Sequence, residues 1–194
     1  MNPRGFTMIE VVIVLAVVAI LSAVLIPVVG NSIQQARIAR TASDTQTIGK
    51  AMVQFRQDTG KWPSFNNNQP PVTSYALLFG TGALPGPDAG GVNWLVTPQT
   101  RLDDFLVQNR WAFPAGPARI AQGLPTWNGP YISDIRNDPW GNAYLCNVQN
   151  LPDGGNPNAN NRVFVLSAGP DQLTDTDFAG TVGVADDDIA FRLQ

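Results

Sequence analysis

Two groups of acidic side chains have the types and spacings to do chemistry. Glu10 is the only glutamate in a chain of 194 residues, and it heads an apolar run, RGFTMIEVVIVLAVVAIL, from Arg4 to Leu21. Intramembrane carboxylates pair with cations, and no lysine or arginine lies between Phe6 and Val29. A chain terminus or another molecule must supply the charge. The second group is late: Asp171, Asp175, Asp177, Asp186, Asp187 and Asp188 in SAGPDQLTDTDFAGTVGVADDDI, with no basic residue between Asp171 and Phe191. Six carboxylates in so short a span repel one another unless water or a cation neutralises them. Hard oxygen ligands favour calcium, which takes six to eight of them in flexible geometry. The spacing is not that of an EF-hand, so the residues alone leave a solvated acidic loop and a cation site both open.

Other chemistries lack their residues. The chain has no histidine, which removes the commonest general base and zinc ligand. No G-x-S-x-G elbow, phosphate-binding glycine loop or Cys–His pair occurs, so the reading is not an enzyme. The net charge of −3 and the absence of a basic stripe argue against nucleic acid as a partner. Cys146 is the single cysteine, and its setting NAYLCNV reads as a buried, inert strand thiol.

These groups need elements to position them. Val11 to Val29 is nineteen residues long, fourteen of them Val, Ile or Leu, enough to cross about 30 Å of hydrocarbon at ~1.5 Å per residue. At about −0.4 kcal/mol each on the insertion scale they contribute roughly −6 kcal/mol, against about 3 kcal/mol lost at Glu10. The run is too long for a cleaved secretory signal, and a plain anchor leaves Glu10 unexplained. Pro27 removes the bond to the Ala23 carbonyl and kinks or loosens that turn. Beyond Gly30, Ile38, Ala42, Thr45, Ile48, Met52 and Phe55 recur at helical spacing as one buried stripe, and Gly60 and Pro63 end the helix. From Phe6 to about Asp58 it would be roughly 80 Å long. Its first half must sit in lipid or in a bundle of its own kind.

Between Trp62 and Trp127 the chain is rich in Pro, Gly and Asn. Short helices are predicted over Thr73–Phe79 and from a Thr97-Pro98 start through Leu106, with Trp94, Trp111 and Phe113 packing them on the stripe. Asp138-Pro139-Trp140-Gly141 reads as a type I turn. Strands follow at Ala143–Val148, Arg162–Ser167 and Ile189–Leu193. The fold class is α+β: a long N-terminal helix packed on a small antiparallel sheet. The divisions are residues 1–5, 6–30, 31–62, 63–127 and 128–194.

Gly5-Phe6-Thr7-Met8-Ile9-Glu10, after a short leader with Arg4 and before the apolar run, resembles the processing site of type IV pilins and pseudopilins. The resemblance implies a pilin fold, with cleavage after Gly5 and methylation of Phe6 by a prepilin peptidase. It implies that Glu10 pairs with the terminal amine of a neighbouring subunit during assembly. It also implies a single-pass inner-membrane precursor, an inner-membrane assembly platform, and a periplasmic or extracellular filament of this and related subunits. The passage GPYI…DPWGNAY resembles the major pseudopilin of type II secretion and a group of related bacterial pilins, extending the likeness to residues 1–63 and 127–194. In that family the late acidic loop binds calcium, which carries over to Asp171, Asp186 and Asp188 with a carbonyl at Ala168. The loop here is longer, and Gln172 stands where the family has glycine. Residues 63–127 depart from the smaller pseudopilins. The implied function is a structural filament subunit, most like the secretion pseudopilus. A surface pilus subunit and a membrane-anchored binding or enzymatic domain are the alternatives.

Overall fold

Helix α1, Met8–Thr59, takes up the first quarter of the chain. The computed structural model describes residues 6–65, 74–87, 94, 96–152 and 160–193. Gly5 and the leader, Thr73, and most of the LPDGGNPNANN loop lie outside the described residues. Secondary structure continues through Pro27 without interruption. At the far end the chain turns at Gly60, whose φ of 72° lies in the left-handed region where glycine meets no Cβ penalty. Its N–H donates to the Arg56 carbonyl at 2.8 Å.

The chain divides into two compact units, Met1–Ala39 and Arg40–Gln194. In the first, every side chain described is exposed. This is the one helix among the described residues that is long and apolar enough to cross a membrane. In the second unit the helix carries a buried stripe of Thr41, Thr45, Ile48, Met52 and Phe55. The expected stripe is corrected at its start: Ile38 and Ala42 are exposed, and Thr41 takes the first buried position. Helical spacing leaves the phase open by one residue where apolar and small side chains crowd together.

Five strands form one sheet in the order β3-β1-β4-β5-β7: β1 Leu77–Phe79, β3 Gln99–Arg101, β4 Leu145–Cys146, β5 Phe164–Ser167 and β7 Ile189–Arg192. A second pair joins β2 Gly86–Pro87 to β6 Leu173–Thr174. The sheet is mixed, because β1 and β3 run parallel while β1–β4, β4–β5 and β5–β7 are antiparallel. Strand alternation divides its side chains into two cores. Leu78, Tyr144, Cys146, Val163 and Val165 join Ile48, Met52 and Phe55 of α1. Leu77, Leu145, Phe164 and Leu166 form the other core with Trp94. Glycine at position 49 allows the close β7 contact, since a Cβ there would overlap the Phe191 ring as it is placed. Tyr144 donates from its hydroxyl to Asp44 at 3.0 Å, a polar tie between helix and sheet.

The middle segment differs from expectation. Leu77–Phe79 is strand, pairing with β3 on one side and β4 on the other. Thr97-Pro98 opens no helix: Gln99–Arg101 is strand, and α2 is only Asp103–Leu106. A vacant sheet edge beside β4 outweighs the weak helical periodicity of so short a run. Phe113 does pack on the stripe, 5.1 Å from Phe55, and Trp111 stacks on Tyr75 and Phe105. Trp94 belongs to the other core. The turn at Asp138 is as expected, with the Gly141 N–H donating to the Asp138 carbonyl at 3.1 Å.

Phe55 is fully buried and meets Phe105, Phe113 and Tyr131 edge-on at 5.9, 5.1 and 5.6 Å. Phe55→Ala should cost about 3–5 kcal/mol, read as a lower denaturant midpoint with an unchanged slope.

Candidate functional site

The first site lies at the start of α1. Thr7 precedes the helix, and Glu10 is its third residue. The Thr7 N–H and hydroxyl both donate to Glu10 Oε2 at 2.8 Å, and the Glu10 N–H donates to Thr7 Oγ1 at 3.3 Å. This is a reciprocal capping box, which satisfies N-terminal donors that otherwise have no intrahelical partner. The carboxylate therefore has neutral donors inside its own chain, one peptide bond from Phe6. Sequence reasoning sought only a cation and missed them, although Thr-x-x-Glu before an apolar run is the legible signature of this cap. Phe6 itself is 88% exposed.

The second site is the acidic loop, and the chain brings its two arms together where β5 ends and β7 begins. The Ser167 hydroxyl donates to the buried Asp138 carboxylate at 2.7 Å and accepts from the Gly169 N–H at 3.3 Å. The DPWG turn thus anchors the loop's first arm. Gly169, at φ 66°, packs so tightly beneath the Asp187 carbonyl that a Cβ would overlap it.

One carboxylate group among the described residues has the geometry to hold a metal: oxygens of Asp171, Asp175 and Asp187 lie within 4.8 Å of one another. Asp171 is common to this group and the expected set; Asp186 and Asp188 are not in it. Asp186 is exposed, on backbone with φ 46°. Asp188 is 7% exposed, and its Oδ2 accepts from the Asp175 and Thr176 N–H groups at 3.0 and 2.7 Å. Its Oδ1 and the Asp187 Oδ1 are buried and accept no hydrogen bond. Ala168 is fully buried at the start of the first arm. Sequence reasoning passed over Asp175 and Asp187; three consecutive aspartates gave no sign of which one the turn would aim inward. Asp177 serves the loop itself, accepting from the Ala179 and Thr181 N–H groups and the Thr181 hydroxyl.

The middle segment buttresses this loop. The Trp94 indole donates to the Thr176 carbonyl at 2.7 Å in the buried core. Thr176 also accepts from the Ala185 N–H at its hydroxyl, and β2 pairs with β6 on the loop's first arm. No motif marked Trp94, whose register comes from tertiary packing.

Cys146 is fully buried beside Met52, and burial pushes its thiol up, so it is no nucleophile.

A long helix whose first unit is bare and apolar, joined to a small mixed sheet with an acidic loop, fits an α+β pilin fold. Residues 1–26 match the family model described as Prokaryotic N-terminal methylation motif, the prepilin-type signal of type IV pilins and pseudopilins. The match spans the leader and the first part of α1, points to a structural subunit of the pilin or pseudopilin type, and fits a single-pass membrane-anchored precursor. No curated protein and no solved structure matches the chain.

Burial pushes the Asp188 carboxyl up to about 6, with the Asp175 carboxylate adding to it and donors from Thr176 and Asp175 opposing. The folded chain then holds a proton that the unfolded chain releases near its ordinary value of 3.8. Stability from this group is present below pH ~4 and lost as pH rises through about 6, at no more than about 1.4 kcal/mol per pH unit. In chelator, the melting temperature should fall from pH 4 to 6, and Asp188→Asn should flatten that fall.

Proposed function

We propose that the chain is a structural subunit of a type II secretion pseudopilus, cut after Gly5 by a prepilin peptidase, methylated at Phe6, and polymerised from the inner membrane by packing of α1. The observation that carries this reading is the prepilin-type motif standing before a helix whose first unit buries none of its described side chains. Such a surface is stable in lipid and then in a bundle of like helices. The likeness of the acidic loop to the pseudopilin calcium loop is what supports the pseudopilus within this reading.

Within this reading Glu10 has two roles in sequence. In the membrane its carboxylate is held by Thr7. On docking it meets the amine of Phe6 on a neighbouring subunit, where an ion pair in low dielectric outweighs bonds to neutral donors. Glu10→Gln separates the two, since glutamine also closes a capping box. The subunit should insert and accumulate normally, while filament yield falls at least tenfold. Normal yield would remove the charge from assembly. Mass spectrometry of filament material should find the mature chain starting at methylated Phe6; a start near Ser32 or an intact Met1 would overturn the reading.

The acidic loop is the calcium site of this reading. Asp171, Asp175 and Asp187 would supply carboxylates, with the Ala168 carbonyl, Asp186 and Asp188 completing the set expected from the pseudopilin resemblance. The fit rests on the buried Oδ1 atoms of Asp187 and Asp188, which accept no hydrogen bond although the Oδ2 of each does, because a buried acceptor left open is costly without a cation. Calcium at a hundredfold excess over Kd should stabilise the fold by about 2.7 kcal/mol. Asp187→Ala and Asp171→Ala should each remove most of that response in calorimetry, and Asp153→Ala should not. Magnesium should substitute poorly, because it demands strict octahedral geometry. An unchanged melting curve with calcium and with chelator would return the loop to a solvated surface.

A further inference from the structure

The three clustered carboxylates of the acidic loop are held in place by different means. Asp187 lies over Gly169, where the two arms touch, and its Oδ2 accepts from the Asp171 N–H at 3.2 Å. Asp171 in turn accepts from the Leu173 N–H at 2.8 Å. Both positions are set by the loop's own arms. Asp175 is placed from outside the loop, through the residues on either side of it. Thr174 pairs with Pro87 in the β2–β6 ladder and donates its hydroxyl to the Gly86 carbonyl at 3.2 Å. Thr176 gives its carbonyl to the Trp94 indole N–H at 2.7 Å. The indole is 1% exposed, packed in the core of Leu77, Leu145, Phe164 and Leu166, and meets Phe178 edge-on at 5.3 Å. So packed, the ring is the fixed partner, and the Thr176 peptide takes its position from it.

The consequence for a cation is geometric. Calcium binds its oxygens at about 2.3–2.6 Å, and a site loses its fit when a ligand strays by more than about 0.5 Å. The backbone around Asp175 also places a second acidic side chain, since the Asp175 and Thr176 N–H groups hold Asp188 Oδ2 at 3.0 and 2.7 Å. Held at Thr174 alone, this stretch could pivot about β6. Held at Thr176 as well, it cannot. Loss of the Trp94 bond would therefore move the Asp175 carboxylate and loosen the donors to Asp188 together. Partners that orient metal ligands in this way typically change affinity by about 10–100-fold when removed.

We propose that Trp94 is the positioning residue of this cation site: its indole N–H, together with β2, fixes the backbone on both sides of Asp175, so that the middle segment sets the loop's affinity for calcium. The proposal rests on the calcium reading of the loop. Coupling between two sites is reciprocal. Calcium must then tighten the Trp94 contact by the same factor that the contact adds to calcium binding.

The test uses the full chain in detergent micelles, with calcium alone as the probe. Trp94→Phe removes the N–H donor and keeps an aromatic ring in the core. Its calcium Kd in titration calorimetry should rise about tenfold. Trp111→Phe is the matched control, because the Trp111 indole packs on the other core and its nitrogen makes no hydrogen bond. Its Kd should stay within about twofold of wild type. In the wild-type chain, calcium should slow deuterium exchange at the Trp94 indole about tenfold more than at the Trp111 indole. That second readout decides the matter if Trp94→Phe does not fold. An unchanged Kd in Trp94→Phe, equal rises in the two variants, or equal slowing at the two indoles would overturn the proposal and leave the calcium site standing. A wild-type chain that binds no calcium would overturn the calcium reading, and the proposal with it.

Discussion

One helix must satisfy two solvents, and the rest of the chain follows from that demand. Through Ala39 no described side chain of α1 is buried by the protein, and from Val11 to Val29 the sequence is almost wholly aliphatic. Water would penalise it by roughly 25 cal/mol for each Å² left open. From Thr41 onward the same helix carries a narrow stripe that the sheet covers. Backbone hydrogen bonding inside the helix is what makes the dual role available, since a helix satisfies its own polar groups in lipid or in a protein core.

That demand explains the economy of polar groups along α1. Glu10 is the one charge in the apolar stretch, and the capping box with Thr7 gives its carboxylate donors without a second charge. An unpaired carboxylate in hydrocarbon would be far more costly. Farther along, Asp44 is engaged by Tyr144 and Arg40 at the surface of the globular unit, where water screens such pairs and each contributes little.

The acidic loop shows a complementary arrangement. Its two arms are pinned by contacts outside the cluster of carboxylates: Ser167 to Asp138, Trp94 to Thr176, and Gly169 under the Asp187 carbonyl. With the backbone so held, the carboxylates of Asp171, Asp175 and Asp187 are brought together despite their repulsion. The middle segment, which looks like a variable surface insertion, turns out to brace the loop through Trp94 and the β2–β6 pair. Its strands complete the sheet edge, so it is part of the fold as well as a surface.

Local chemistry settled what the sequence could determine. Length and apolarity alone specify the membrane-fit helix, the Thr-x-x-Glu spacing specifies the cap, Gly60 ends α1, and Asp-Pro-x-Gly makes its turn. Each is decided within a few residues by backbone sterics or solvent. The tertiary structure decided what depends on distant partners. Leu77–Phe79 became strand because β4 offered an open edge. Thr41 rather than Ala42 faced the sheet. Asp175 and Asp187 came to Asp171 because contacts from far along the chain set the loop's register. A single sequence cannot rank such choices, since the competing local preferences differ by less than the energy of one buried side chain.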